Sequence, residues 1–277
     1  MFNKITIIGL GLIGGSLALA VKKNKLAKKI IGVSRRKGTI DYAIKKGIVD
    51  SATLDLKKGV ADSDFIIITT PVLKIVSIAK IVALFLKKGA ILTDAGSTKE
   101  YIVNNIEKLD LKGAYFAGSH PIAGSEKSGV RSADVNLFRG AYCIVTRTKD
   151  SNPKAVNKIK RFWAAIGMRV VELSPRTHDM IFSRVSHLPH ASSVSLVNAI
   201  GRDSLDFASG GFKDSTRIAS GEPELWRDIF LTNRKNLTRD IGALRKELSK
   251  IEIALKDNDR RELSKLLNKA KAARDSL

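Results

Sequence analysis

The stretch Ile5-Thr6-Ile7-Ile8-Gly9-Leu10-Gly11-Leu12-Ile13-Gly14 constrains the fold more than any other part of this chain. A β-branched run ends in glycine, and the glycines then follow the spacing G-x-G-x-x-G where a helical pattern opens. With a strand before it and a helix after it, that spacing is the dinucleotide-binding fingerprint. Gly9 permits the tight turn, Gly11 lets the backbone approach a pyrophosphate, and Gly14 lets the helix pack closely on the strand. The helix N-terminus then offers N–H donors and a positive dipole end to the anion. Leu12 and Ile13, inside the fingerprint, are counted with the three glycines as cofactor-binding residues.

Apolar runs like the first recur at residues 29–33, 65–69, 90–93, 114–117, 142–146 and 169–173, with helical patterns between the early ones, for example at 75–86 and 99–109. Short apolar strands alternating with helices predict βαβ units and a parallel sheet buried on both faces. From Pro175 onward the strand signals disappear. Residues 177–200 are expected to be helical, with Pro189 as a kink or break. Leu237, Ile241, Leu244, Leu248, Ile251 and Leu255 repeat at spacings of three and four, an apolar seam for helix–helix packing and the basis for expecting a homodimer. Asp259 and Glu262 form a capping-box pattern that opens a last helix. The expected fold class is α/β: a Rossmann-type doubly wound parallel sheet over residues 1–174, then an all-helical dimerisation domain over residues 175–277.

The second strand runs into Ser34-Arg35-Arg36-Lys37-Gly38-Thr39. At this distance, about 20 residues past the fingerprint, an NAD-selective site carries an Asp or Glu for the ribose 2′-hydroxyl. No acid stands here. Ser34, Arg35, Arg36 and Thr39 suit a 2′-phosphate, so the expected cofactor is NADP, with NAD as the alternative. Thr70 and Pro71, after the 65–69 strand, are added to the cofactor-binding set.

Two polar loops lie beyond the carboxyl ends of later strands, where ligands of open α/β sheets bind. They are Asp94-Ala-Gly-Ser97-Thr98-Lys99 and Gly118-Ser-His120-Pro-Ile-Ala-Gly-Ser-Glu126-Lys-Ser-Gly129. His120 is the candidate base, since imidazole titrates near neutral pH. Ser97 either orients it or caps the following helix. The helical half adds Ser186-His187-Leu-Pro-His190 and Lys213-Asp214-Ser-Thr-Arg217. Arg217 is suited to clamp a carboxylate, or else pairs with Asp214. With four histidines in all and no third close ligand to His187 and His190, no metal site is expected.

Taken together, GLGLIGGS, DAGSTK, SHPIAGSEKSG, SHLPHA and GGFKDSTRIASGEPELWRDIF resemble the prephenate/arogenate dehydrogenase family of tyrosine biosynthesis, in family order across most of the chain. The resemblance implies oxidative decarboxylation of prephenate to 4-hydroxyphenylpyruvate. In it His120 accepts the C4 hydroxyl proton, and Ser97 aligns hydroxyl and base. It also implies that Arg217 binds a substrate carboxylate, His190 makes a second polar contact and His187 shapes the pocket. Glu126 and Lys213 match a pair that gates the site. The basic stretch after Val33 resembles NADP-using members, several of which prefer arogenate, whereas Glu126 and His190 resemble prephenate-using ones; prephenate is the expected substrate and arogenate the alternative. The chain is expected to act as a stand-alone cytoplasmic dehydrogenase.

Composition narrows the competitors. Lys plus Arg total 49 and Asp plus Glu 27, a formal charge of +22. A hydrophobic share of 44% excludes a disordered polycation. The basic residues are dispersed and aromatics reach only 6%, so no nucleic-acid partner is expected. One cysteine excludes an intramolecular disulfide, and no apolar run reaches the roughly 20 residues that span a bilayer. Other two-domain hydroxyacid dehydrogenases and imine reductases are not expected to carry the SHPIAG and SHLPHA loops in this order.

Overall fold

A computed structural model describes residues 1–124 and 127–277. The chain begins with β1 (Phe2–Ile8), α1 (Leu12–Lys23), β2 (Ala27–Val33), α2 (Lys37–Lys45), β3 (Ser51–Thr53), α3 (Leu56–Val60), β4 (Phe65–Ile68), α4 (Val72–Ala83), β5 (Ile91–Asp94), α5 (Glu100–Ile106) and β6 (Tyr115–Phe116). Its six strands form one sheet in the order β3-β2-β1-β4-β5-β6, every pair parallel. The order reverses between β1 and β4, and such a switch point opens a crevice at the carboxyl ends of the strands. The four residues of β4 are all buried because both faces are covered. Phe65 and Ile67 enter one core with Leu17, Phe162 and Trp163; Ile66 and Ile68 enter the other with Ile75, Leu92 and Ile102. That alternation is the two-residue period of a strand.

The chain continues with β7 (Ser119–Pro121), β8 (Tyr142–Thr146), α6 (Pro153–Ala165) and β9 (Arg169–Leu173). Here the structure corrects the expectation of a single parallel sheet. These strands make a separate sheet, β7-β8-β9, antiparallel between β7 and β8 and parallel between β8 and β9. The chain crosses from one sheet to the other at Gly118. A Cβ there would lie 2.6 Å from the Thr146 Oγ1, so only glycine allows β8 to approach.

Everything after Ser174 is helical: α7 (Pro175–Phe182), a π-helical turn (Ser183–His187), α8 (Leu188–Ala199), α9 (Arg202–Leu205), α10 (Gly210–Thr216), a 3-10 turn (Arg217–Ser220), α11 (Pro223–Thr232), α12 (Arg234–Lys256) and α13 (Arg260–Asp275). Pro189 does not break the helical run as expected. It sits in the first turn of α8, where its missing N–H costs nothing, and the wide π turn just ahead makes room for its ring. The break falls instead at Asn233, between α11 and α12. Asp259 caps α13 by accepting from the Arg261 and Glu262 N–H groups, both at 3.0 Å.

Candidate active site

The carboxyl ends of β1, β2 and β4 open into a cleft of about 470 Å³. Gly9, Gly11, Ser34, Arg35, Arg36, Thr39, Thr70 and Pro71 line it, together with Lys74, Gly129 and an apolar wall that includes Leu54 and Leu56. Gly9 holds φ +108°, a left-handed conformation that side chains resist, and a Cβ on Gly11 would meet only open space. Leu12, Ile13 and Gly14 stand behind the lining, in the first turn of α1. A Cβ on Gly14 would sit 2.0 Å from the Gly9 carbonyl oxygen, so this residue serves the close packing of helix on strand. The Thr70 hydroxyl is buried with no hydrogen-bond partner, a polar group left for a ligand. Glycines at the approach, a free helix N-terminus and an unsatisfied hydroxyl fit a nicotinamide dinucleotide. No carboxylate is among the described lining residues.

Next to the cleft, the loop after β5 meets both β7 and α7. Asp94 and Lys99 are completely buried and form an ion pair. Burial pushes the Asp94 carboxyl up, against the pull of the Lys99 charge. The Lys99 ammonium also donates to the Ser119 carbonyl at 2.8 Å, which ties the DAGSTK loop to the strand that carries His120. Ser97 lies half-buried in that loop. It does not cap α5. The first N–H groups of the helix, those of Lys99 and Glu100, donate instead to the two Asp179 carboxylate oxygens at 2.7 and 2.9 Å.

His120 is half-buried on β7, not in a loop as the sequence suggested. Its Nδ1 lies 2.8 Å from the His178 Nε2, and the His178 Nδ1 lies 2.8 Å from the Asp179 Oδ1. Phe182 stacks on the His178 ring at 4.4 Å between centroids and meets the His120 ring edge-on at 5.0 Å. Burial, then the neighbouring His178, Lys99 and His187, hold the His120 imidazole well below its ordinary range. It is therefore neutral, the form a general base requires.

The remaining histidines join the same cluster. The Asn233 amide donates to the Asp179 carbonyl at 2.8 Å and lies 3.1 Å from the His187 Nδ1. Burial lowers His187 to about 4. His190 stacks face to face on Trp226 at 3.6 Å, and its buried Nδ1 has no partner. Gly221 makes room for this pair, because a Cβ there would lie 2.4 Å from the Trp226 Nε1. Lys213 and Arg217 are exposed on α10 and the adjoining 3-10 turn. Among the described residues Arg217 makes no ion pair, and Asp214 does not engage it. Glu126 lies outside the described residues. Among those described, no three histidine, cysteine or acidic side chains gather to hold a metal ion.

Sequence reasoning passed over His178 and Asp179, which complete the cluster, and Trp226, on which His190 rests. The available signal was the sequence His178-Asp179 itself, the remaining histidine of the four beside a carboxylate, in a stretch otherwise read only for helical period.

A dinucleotide cleft at the switch point of a parallel sheet, joined to a helical domain that closes on a neutral histidine, defines a two-domain nicotinamide-dependent dehydrogenase. The chain belongs to the prephenate dehydrogenase family: residues 17–172 match the family's nucleotide-binding domain and residues 174–269 its dimerization domain. It is 36% identical to the prephenate dehydrogenase of Bacillus subtilis over 284 aligned positions, covering 100% of this chain and 76% of the relative. The structure resembles that of Aquifex aeolicus prephenate dehydrogenase in complex with hydroxyphenyl propionate and NAD+, with a TM-score of 0.93, 34% identity, and 100% and 98% of the two chains covered. It also resembles Synechocystis arogenate dehydrogenase, with a TM-score of 0.85, 30% identity and 99% of each chain covered.

Proposed function

We propose that the chain is a homodimeric prephenate dehydrogenase that forms 4-hydroxyphenylpyruvate and CO₂ and prefers NADP. The observation that carries this reading is the placement of His120, held on β7 where the loop after β5 and helix α7 meet, with its Nδ1 2.8 Å from the His178 Nε2. In this reading the His120 imidazole takes the proton of the C4 hydroxyl as that carbon is oxidised. The nicotinamide, when bound, supplies the hydride acceptor. Cleavage of the bond from C1 to its carboxylate then releases CO₂, and the electron pair aromatises the ring as the C4 oxygen takes its proton back from His120. Ser97 aligns the hydroxyl with His120, Arg217 receives a substrate carboxylate, and the unpartnered His190 Nδ1 supplies a further polar contact. His187, which burial keeps neutral, shapes the pocket without adding charge. Ser34, Arg35, Arg36 and Thr39 receive the 2′-phosphate. The absence of a described carboxylate in the cleft supports that preference.

The reading in which arogenate is the substrate draws on the same basic stretch and on the likeness to an arogenate dehydrogenase. Steady-state kinetics crossing prephenate and arogenate with NAD and NADP decide between them. The highest kcat/KM is expected for prephenate with NADP; a clear preference for NAD or for arogenate overturns the corresponding half. In the same assay His120→Asn should lose about 10²–10⁴-fold in kcat with little change in KM. Arg217→Gln should mainly raise KM.

A further inference from the structure

We propose that His178 and Asp179 are positioning residues that fix the tautomer of His120 and support its protonated form, so that the base is complete only when the two domains are docked. The inference rests on the reading of His120 as general base and extends it to residues that act through His120.

Backbone N–H groups only donate. Asp179 receives two of them, from Lys99 on Oδ1 and from Glu100 on Oδ2, so both of its oxygens are acceptors. The His178 Nδ1, at 2.8 Å from Oδ1, must therefore carry the proton of that bond. A neutral His178 then has a bare Nε2, and the 2.8 Å contact with His120 is made by the His120 Nδ1–H. That leaves the His120 Nε2 as the lone pair free to accept a proton. The opposite polarity would set two bare acceptors against each other at the Asp179 end. Its escapes are a charged His178, which burial and the Lys99 ammonium oppose, or a protonated Asp179, which the Lys99 and Glu100 N–H donors oppose. When the His120 Nε2 is protonated, the new charge already has a donor line through the His178 Nε2 to a carboxylate, with no heavy atom required to move. The logic matches that of a triad, in which a buried carboxylate sets the tautomer and orientation of a catalytic imidazole.

The same two residues bridge the domains. His178 and Asp179 belong to α7, in the helical half, while His120 lies on β7 and the Asp179 partners open α5. The titratable groups that face His120 are His178 from α7, Lys99 from the loop after β5 and His187 from the π turn. Undocking α7 would remove the acceptor for the His120 Nδ1–H and uncap α5 together.

Two measurements on the full-length dimer test this. In ¹⁵N-histidine NMR the His120 resonance, assigned with His120→Asn, should report the Nδ1–H tautomer in the wild type and lose that fixed state in His178→Gln. An Nε2–H tautomer in the wild type overturns the proposal, whatever substrate the enzyme proves to use. In steady-state assays His178→Gln and Asp179→Asn should each lower kcat about 10²-fold while KM changes less than about threefold. The acid limb of the pH–rate profile should move in both variants, and cofactor affinity by fluorescence titration should stay unchanged. A kcat close to wild type in His178→Gln, with His120→Asn inactive, overturns the positioning role and leaves His120 as base. A wild type that turns over neither prephenate nor arogenate instead removes the proposed function, and the tautomer measurement still decides the relay.

Discussion

All four histidines of the chain are held below the ordinary imidazole value of 6.5, chiefly by burial. The native state therefore binds fewer protons than the unfolded chain once the pH falls below about 6.5. The stability these histidines contribute is fully present above that value and is lost as the pH falls toward their depressed native values. For His187, lowered to about 4, the loss amounts to roughly 3 kcal/mol by the time the pH reaches that point. Asp94 and Asp179, which burial holds above the usual carboxylate value, act in the opposite sense at lower pH and offset part of it. Urea titrations between pH 7 and 4.5 should show a steady fall in unfolding free energy. Replacing His187 by Gln should flatten the slope; an unaltered slope in that variant would contradict the assignment. Of this cluster, His120, His187 and His190 were legible from glycine-rich or histidine-paired loops. His178 was not, because a residue inside an amphipathic helix reads as part of its period. Only the folded chain brings the residue from α7 within 2.8 Å of the one on β7.

The elements differ in how visible they are for a physical reason. Strands β1, β4 and β5 were plain in the sequence because a parallel strand covered on both faces carries a short, near-continuous apolar run, unbroken in β4. Strand β3 is a three-residue, half-buried edge, Ser-Ala-Thr, and has no such run. Strand β7, Ser-His-Pro, tolerates a proline only because it lies at the edge of its sheet. The departure of β7, β8 and β9 into a second sheet depends on pairing partners far apart in the chain, and local periodicity carries no such information. The fingerprint glycines were legible because each meets a separate steric demand. Gly14→Ala places a methyl group against the Gly9 carbonyl, which is backbone and has no flexible end to yield, and against the Thr69 hydroxyl. It should cost about 1–3 kcal/mol of stability. It should also weaken cofactor binding as the Gly9 turn shifts, measured by thermal unfolding and by fluorescence titration. Gly38→Ala, where a Cβ meets only open space, is the matched control.

The whole molecule leaves a surface that a single chain does not satisfy. Along α12, Leu237 is buried, but Ile241, Leu248, Ile251 and Leu255 are exposed, and Leu248 keeps 58% of its surface. A seam of this kind on a family dimerization domain is a face for a second copy. Leu248→Glu should shift the protein toward monomer in light scattering at micromolar concentration. The change removes no intrachain burial of note, so circular dichroism should be preserved; a variant that remains dimeric would place the interface elsewhere. The +22 charge serves the molecule unevenly. Arg35 and Arg36 line the dinucleotide cleft, and in the proposed reading Lys213 and Arg217 face the anionic substrate, where a positive field would speed encounter. Most of the other basic side chains are solvated coat. Lys99 is set apart from that coat by its complete burial, its ammonium enclosed between Asp94 and the Ser119 carbonyl. An amine-acylating reagent would decorate the exposed lysines within minutes and reach Lys99 only when the junction between the domains opens. Its acylation rate is thus a built-in clock for that opening, readable by peptide mass with no label added to the protein.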